Sequence, residues 1–245
     1  MHPTDRLRRS AWLGALLLAG HAHAATAQNA SGITATLEAA SDERRRGLSW
    51  SDGDAVLRGS VSVPVADGLS LDGTATTLWG SNRHGGADAV LDLGATYAWD
   101  LGGFRLTAEG RYHLFPGASN QGYGEVGAIA GFTLGPANLD LGARYAPRQS
   151  AIGGDNLYLS TSAAVGIPGT PFTLSGNIGR SSGDVRNPLR AARLRPDGSY
   201  WDHGVALDWY QGRWSAGLRY ADTDIDAPNS VHAGASLIAR VGFTL

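Results

Sequence analysis

Ionisable residues in this sequence recur at every second position, a spacing that places them on one side of an extended chain. The clearest run is Arg105, Thr107, Glu109, Arg111 and His113, interleaved with Phe104, Leu106, Ala108, Gly110, Tyr112 and Leu114. The same alternation brings Arg58, Asp72, Asp92, Glu125, Asp140, Arg144, Asp208, Arg219 and Arg240 onto the polar side of their own segments. Guanidinium and carboxylate groups that face one another across water set a transverse field able to orient and select polar solutes. Paired side by side, the same groups would instead fill a narrow lumen. Hydrolytic chemistry is poorly served. His113 and Glu109 stand four residues apart, about 13 Å along a strand, and His203 has neither acid nor hydroxyl beside it on its own face. Zero Cys removes disulfides, thiolate metal sites and Cys nucleophiles. Asp222, Asp224 and Asp226 have the odd spacing of a calcium loop, but Ala227 and Ala233 occupy the places of its Gly and its final Glu. No catalytic residue, metal or cofactor is expected.

Only strands can hold side chains in this order. From Ile33 onward apolar and polar residues alternate with period two, interrupted by Gly, Pro, Asn and Asp clusters. This predicts twelve strands, near 33–42, 54–65, 69–79, 88–99, 104–115, 123–134, 138–146, 156–167, 172–181, 200–210, 213–222 and 231–245. Their connections are short and long by turns. Ala66–Gly68, Asp100–Gly103, Gly135–Ala137, Pro168–Pro171 and Gln211–Gly212 are tight, whereas Glu43–Gly53, Gly80–Ala87, Pro116–Gly122, Pro147–Asp155, Ser182–Ser199 and Thr223–Ser230 are long. An even strand count with turns at one end and loops at the other is the pattern of a closed antiparallel transmembrane β-barrel, turns in the periplasm and loops outside. Aromatic residues form two bands on the apolar register. Trp99, Phe104, Phe132, Phe172, Trp209, Trp214 and Phe243 lie by the turns, and Trp79, Tyr112, Tyr145, Trp201 and Tyr220 by the loops.

Composition agrees with that class. Of the 245 residues 35 are Gly, all 20 basic residues are Arg, and the formal charge of −2 lacks the basic excess of a nucleic-acid binder. Arg6, Arg8 and Arg9 precede an apolar run from Ala11 to Gly20 and then Ala22-His23-Ala24. This is a secretory signal peptide over 1–24, with cleavage as late as 27. A short periplasmic lead over 25–32 and a barrel over 33–245 complete the chain. Ten apolar residues are too few to span a bilayer as a helix, so membrane insertion has to use strands.

Two Arg-rich stretches fall in the long connections. Arg44, Arg45 and Arg46 sit in the first, and Arg186, Arg190, Arg193 and Arg195 follow Arg180 in the fifth. An Arg-rich outer loop can enter the lumen as an anion-selective constriction, grip lipopolysaccharide phosphates by bidentate hydrogen bonds, or remain solvated and mobile. The expected partners are outer-membrane lipid and lipopolysaccharide, the outer-membrane assembly machinery and small polar solutes.

The segment Ser41–Gly59 resembles the opening motif of the TorF family of porins, in which an acidic-Tyr-x-aromatic-Arg-Gly-x-Ser stretch sits at the first outer loop. Arg46-Gly47-Leu48-Ser49 keeps the heart of that motif, while Glu43, Arg45, Asp54 and Arg58 depart from it. Leu91-Asp92-Leu93 and Phe115-Pro116-Gly117 resemble two further landmarks, and the likeness runs from about Ile33 to Gly183. It implies an outer-membrane barrel admitting small polar or ionic solutes and brings no catalytic residues. The alternating Leu237, Ala239, Val241, Phe243 and Leu245 resemble the C-terminal assembly signal of outer-membrane proteins, with Leu245 where an aromatic is usual. The alternative is a closed structural or adhesive barrel acting through its loops.

Overall fold

The computed structural model describes residues 32–226, 229 and 231–245. The signal segment and nearly all of the short lead expected after it lie outside the described residues. Strand β1 (Thr34–Ala40) is followed by a small hairpin, β2 (Arg44–Arg45) and β3 (Leu48–Ser49). There follow β4 (Val56–Ala66), β5 (Leu69–Ser81), β6 (Ala87–Asp100), β7 (Phe104–Leu114), β8 (Tyr123–Leu134) and β9 (Ala137–Gln149). The chain ends with β10 (Gly154–Gly166), β11 (Phe172–Ser182), β12 (Tyr200–Gln211), β13 (Trp214–Thr223) and β14 (Ser236–Thr244). A short helix α1 (Pro188–Ala191), capped by Asn187, interrupts the longest loop.

All strands except β2 and β3 form one closed antiparallel barrel of twelve. Closure is made by β1, which pairs β4 on one side and β14 on the other, with Ala39 opposite both Leu57 and Val241. No barrel strand therefore presents an open edge, the condition a sheet must meet in hydrocarbon. Pairing of sequential neighbours fixes the register, because a one-residue slip would turn every apolar side chain inward.

The faces are inverted relative to a soluble barrel. Leu37, Leu57, Leu93, Val126, Val205 and Leu237 are each more than half exposed on the outer wall. Aromatic rings interlock beside the short turns, Phe104 with Phe132 at 5.1 Å and Trp214 with Phe243 at 4.8 Å. The buried apolar cluster lies instead at the long-loop end. Leu48, Trp50, Leu78, Val90, Phe115, Tyr123, Ile152, Leu194 and Ile225 pack there, inside and over the mouth.

Two expectations change. The first long connection is no free outer loop, since residues 41–55 turn back into the barrel. The last strand starts at Ser236, five residues later than its alternation predicted. Before it, Thr223 Oγ1 donates to the Ala233 carbonyl, which ties the loop back to the mouth.

Candidate permeation path and its outer closure

Every residue the alternation assigned to the lumen stands on the inner register, where side chains pair across adjoining strands or reach over one strand to the next but one. On β7, Glu109 pairs with the Arg144 guanidinium of β9, and Arg111 lies 3.8 Å from Glu109. Arg240 of β14 meets Asp208 of β12 at 2.7 Å. At the turn end, Arg105 forks onto Asp100 at 2.6 and 2.9 Å. Asp72 accepts from the Thr96 hydroxyl at 2.9 Å. Arg219 reaches only an amide oxygen, Asn177 Oδ1, at 2.9 Å.

The sequence reading missed two inner carboxylates. Glu38 of β1 accepts from Arg58 at 2.7 Å. Asp202 accepts from Tyr158 Oη at 3.2 Å. Both share parity with charged neighbours of the inner register, Asp202 with Asp208 and Glu38 with its partner Arg58, so register alone could have found them.

The hairpin could not have been found that way. Its turn, Arg46-Gly47, has φ of 52° and 76°, the paired positive values of a type I′ turn. Arg44 pairs across it with Ser49. Gly47 is required twice over, by its φ and by crowding, because a Cβ there would stand 2.3 Å from Thr223 Cγ2 and 2.9 Å from Asp202 Cβ. The tip thus abuts β12 and β13, while its root leaves β1 and enters β4.

Charge holds it in place. Arg45 bridges Glu43 and Asp92, both at 2.8 Å, and its guanidinium lies over the Trp50 ring at 4.2 Å. Arg46 reaches Glu125 of β8 at 2.6 Å and covers the Tyr158 ring of β10 at 4.7 Å. Arg58 pairs with Glu43 from the wall. His113 is clamped between Asp92 Oδ1, at 2.6 Å, and Glu125 Oε1, at 3.5 Å. Arg44 is bound by Asp42 at 2.8 Å and by the Gly47 and Gly234 carbonyls. The expectation that Arg44, Arg45 and Arg46 face outward toward anions is therefore corrected: all three are spent inside the barrel.

The second Arg-rich stretch divides. Arg186 is exposed and Arg190 half-buried, and Arg190 donates to the Asn120 carbonyl at 3.0 Å. Arg193 and Arg195 are buried, contrary to the expected anion contacts. Arg195 donates to the carbonyls of Gly183, Gly198, Asp155 and Asp184. Arg193 donates to Ala151 and Gln121 carbonyls and to His84 Nδ1, at 3.0 Å. A ring nitrogen that accepts is unprotonated, and burial together with the Arg193 charge holds His84 well below its usual pKa. Burial likewise draws Arg193 down to about 10, still a cation at neutral pH. These guanidiniums knit the loops into a cap; they line no constriction.

Below the hairpin the interior changes character. Ser60, Ser62, Thr74, Ser160, Ser162 and Ser175 are small, inward and only half-buried. The interior is lined by small, partly accessible side chains toward the turn end and filled toward the loop end.

No nucleophile is assembled among the described residues. Gly179-Arg180-Ser181-Ser182-Gly183 has the spacing of a hydrolase nucleophile elbow. That elbow needs a sharp strand-to-helix turn, whereas Ser181 lies within straight β11 opposite Tyr158 and Tyr200. Asp222 accepts from Tyr220 Oη and the Thr223 N–H, and Asp224 from the Trp201 N–H. Their oxygens cap the rim and do not converge on one point.

A closed antiparallel barrel of twelve strands, apolar outside and charged in both signs within, has the architecture of outer-membrane porins. The chain belongs to the family described as bacterial protein of unknown function (Gcw_chp), which it matches over residues 24–242; this family, and not the TorF family, is the one the comparison returns. No match is found among curated proteins. Solved structures with this fold include the NanC porin, at 13% identity and TM-score 0.59 over 86% of this chain and 98% of that one. The KdgM porin aligns at 12% identity and TM-score 0.54 over 86% and 97%. The COG4313 outer membrane channel from Pseudomonas putida F1 gives 10%, 0.51, 87% and 95%.

Proposed function

We propose that the protein is an outer-membrane channel through which small polar or ionic solutes diffuse passively, delivered by a cleaved signal peptide and the barrel assembly machinery. The observation that carries this reading is the contrast between the two walls. Leu, Val and aromatic side chains face out, while Arg, Asp, Glu, Ser and Thr face in. Such side chains belong on the lumen side, because charge facing hydrocarbon would cost about 2–4 kcal/mol per residue near the midplane. The porin architecture of the NanC and KdgM relatives in fold supports it, as does the porin-like Arg46–Ser49 motif.

The outer third adds a condition to this function. The hairpin and the loop cap fill the mouth, so solute passes when the hairpin leaves its seat. Arg219 on β13 is held by an amide oxygen and not by a carboxylate, and Arg111, half the barrel away on β7, shares Glu109, at 3.8 Å, with Arg144. Their incompletely matched charge gives the open lumen a preference for anions. The filled mouth equally favours a second reading, a closed structural barrel acting through its cap. Purified protein in planar bilayers separates the two. A channel gives discrete conductance steps that grow when residues 42–53 are replaced by a short Gly-Ser link. A structural barrel stays silent in the wild type and in that variant, although both fold.

A further inference from the structure

One guanidinium belongs to neither the lumen nor the cap. Arg180 is on the outer face of β11, exposed, with Leu159 and Trp201 as its register partners. Among the described residues it makes no ion pair, and its one contact is the Trp201 ring at 5.4 Å. The outward carboxylates of the same rim are engaged elsewhere. Asp155 accepts from Tyr145 Oη and the Asp184 N–H, and Asp222 from Tyr220 Oη. A cation left unmatched at the headgroup level of a bilayer is placed to meet a lipid anion.

The wall beside Arg180 is hollow. Register links Trp201, Arg180, Leu159, Ala143 and Ala128 in one row across five strands. Trp201 and Arg180 are at the outer ends of β12 and β11, whereas Ala143 and Ala128 are midway along β9 and β8. Because barrel strands tilt by about 35–45°, the row slants from the outer rim to the middle of the wall. Side chains shrink along it. Ala128, Ala130 and Ala143 lie among the larger Leu106, Ile178 and Trp201 and leave a shallow, open recess of about 600 Å³.

We infer that this recess seats one acyl chain of a lipid A molecule of the outer leaflet, whose phosphate meets Arg180. The position of Arg180 at the long-loop end selects the outer leaflet, and its unmatched charge selects a phosphorylated headgroup, for which a guanidinium has a fitting donor fork. Trp201, its ring 5.4 Å from the guanidinium and its register partner, holds Arg180 at the headgroup depth where indole rings settle. The inference rests on the outer-membrane reading and needs no open pore.

The test is native mass spectrometry of detergent-refolded protein incubated with lipid A or with phosphatidylglycerol, with heat-modified gel mobility confirming that each variant is folded. The wild type is expected to retain one lipid A in preference to phosphatidylglycerol. Arg180→Gln should lower lipid A occupancy about tenfold, the loss of a charge-assisted contact. Ala143→Phe, which fills the recess and keeps the cation, should lower it as well. Arg148→Gln, at another exposed outer cation, should match the wild type. Equal occupancy in wild type and Arg180→Gln, or equal retention of the two lipids, overturns the inference. Conductance recorded on the same samples is independent of it, so a failed lipid site and a failed channel are told apart.

Discussion

At the scale of residues, the outer closure turns on ion pairs that exist only because the barrel brings β4, β6 and β8 around the hairpin. Arg46 and Glu125 are both largely withdrawn from solvent. Glu125→Gln therefore leaves a buried guanidinium without its counter-charge, a change that costs about 3–5 kcal/mol where a buried pair is broken. The expected result is release of the hairpin, read as trypsin cleavage at Arg44, Arg45 or Arg46 that the folded wild type resists. His84 gives a pH-dependent counterpart. Its folded pKa lies well below the ordinary 6.5, so the unfolded cap binds more protons below that value. Stability is full above about pH 6.5 and falls as the pH drops further. Protection factors for hydrogen exchange at residues 82–84 and 191–195, with rates corrected for the intrinsic pH dependence of amide exchange, should fall from pH 7.5 to pH 5, and His84→Gln should abolish that fall. Unchanged protection in the wild type would mean that His84 does not set the stability of the cap.

At the scale of elements, the hairpin is a two-residue turn wedged against two strands. Gly47→Val adds a β-branched side chain at φ 76°, where Thr223 Cγ2 already crowds a Cβ at 2.3 Å. The turn cannot keep both its geometry and its seat. Single-channel conductance should rise toward that of the variant lacking residues 42–53, while heat-modifiable mobility stays as in the wild type. If conductance matches the wild type, the hairpin does not govern passage. Helix α1 and the carbonyl cages of Arg193 and Arg195 belong to the cap by the same logic, since buried backbone oxygens in loops need donors and Arg supplies up to five.

At the scale of the whole molecule, the two faces of each strand obey opposite rules. Val205, midway along β12 and 53% exposed, faces out, so Val205→Arg should weaken folding into liposomes by about 2–4 kcal/mol. Ser175, inward and half-buried on adjoining β11, should accept Arg with a change of less than about 1 kcal/mol. Urea-titrated folding followed by gel mobility measures both, and equal losses would mean that the wall does not separate hydrocarbon from water. Closure through β1 and β14 spreads this separation round the barrel, so no strand can be reversed alone.

Much of this was legible beforehand because period two is a local property. The row Arg105, Glu109, Arg111 and His113 declares its side of β7 without reference to any other strand, and twelve such rows with alternating connections imply a closed barrel. The fate of Arg44, Arg45 and Arg46 was not legible. Whether a loop folds in or out is decided by groups 40 to 80 residues away, Asp92 and Glu125 among them. The burial of Arg193 and Arg195 likewise depends on carbonyls that only the assembled loops present. Sequence determined the wall and its two solvents, since strand geometry maps alternation directly onto faces. Tertiary structure alone decided what closes the mouth, because that depends on charges meeting across a lumen, which exists only once the first and last strands have joined.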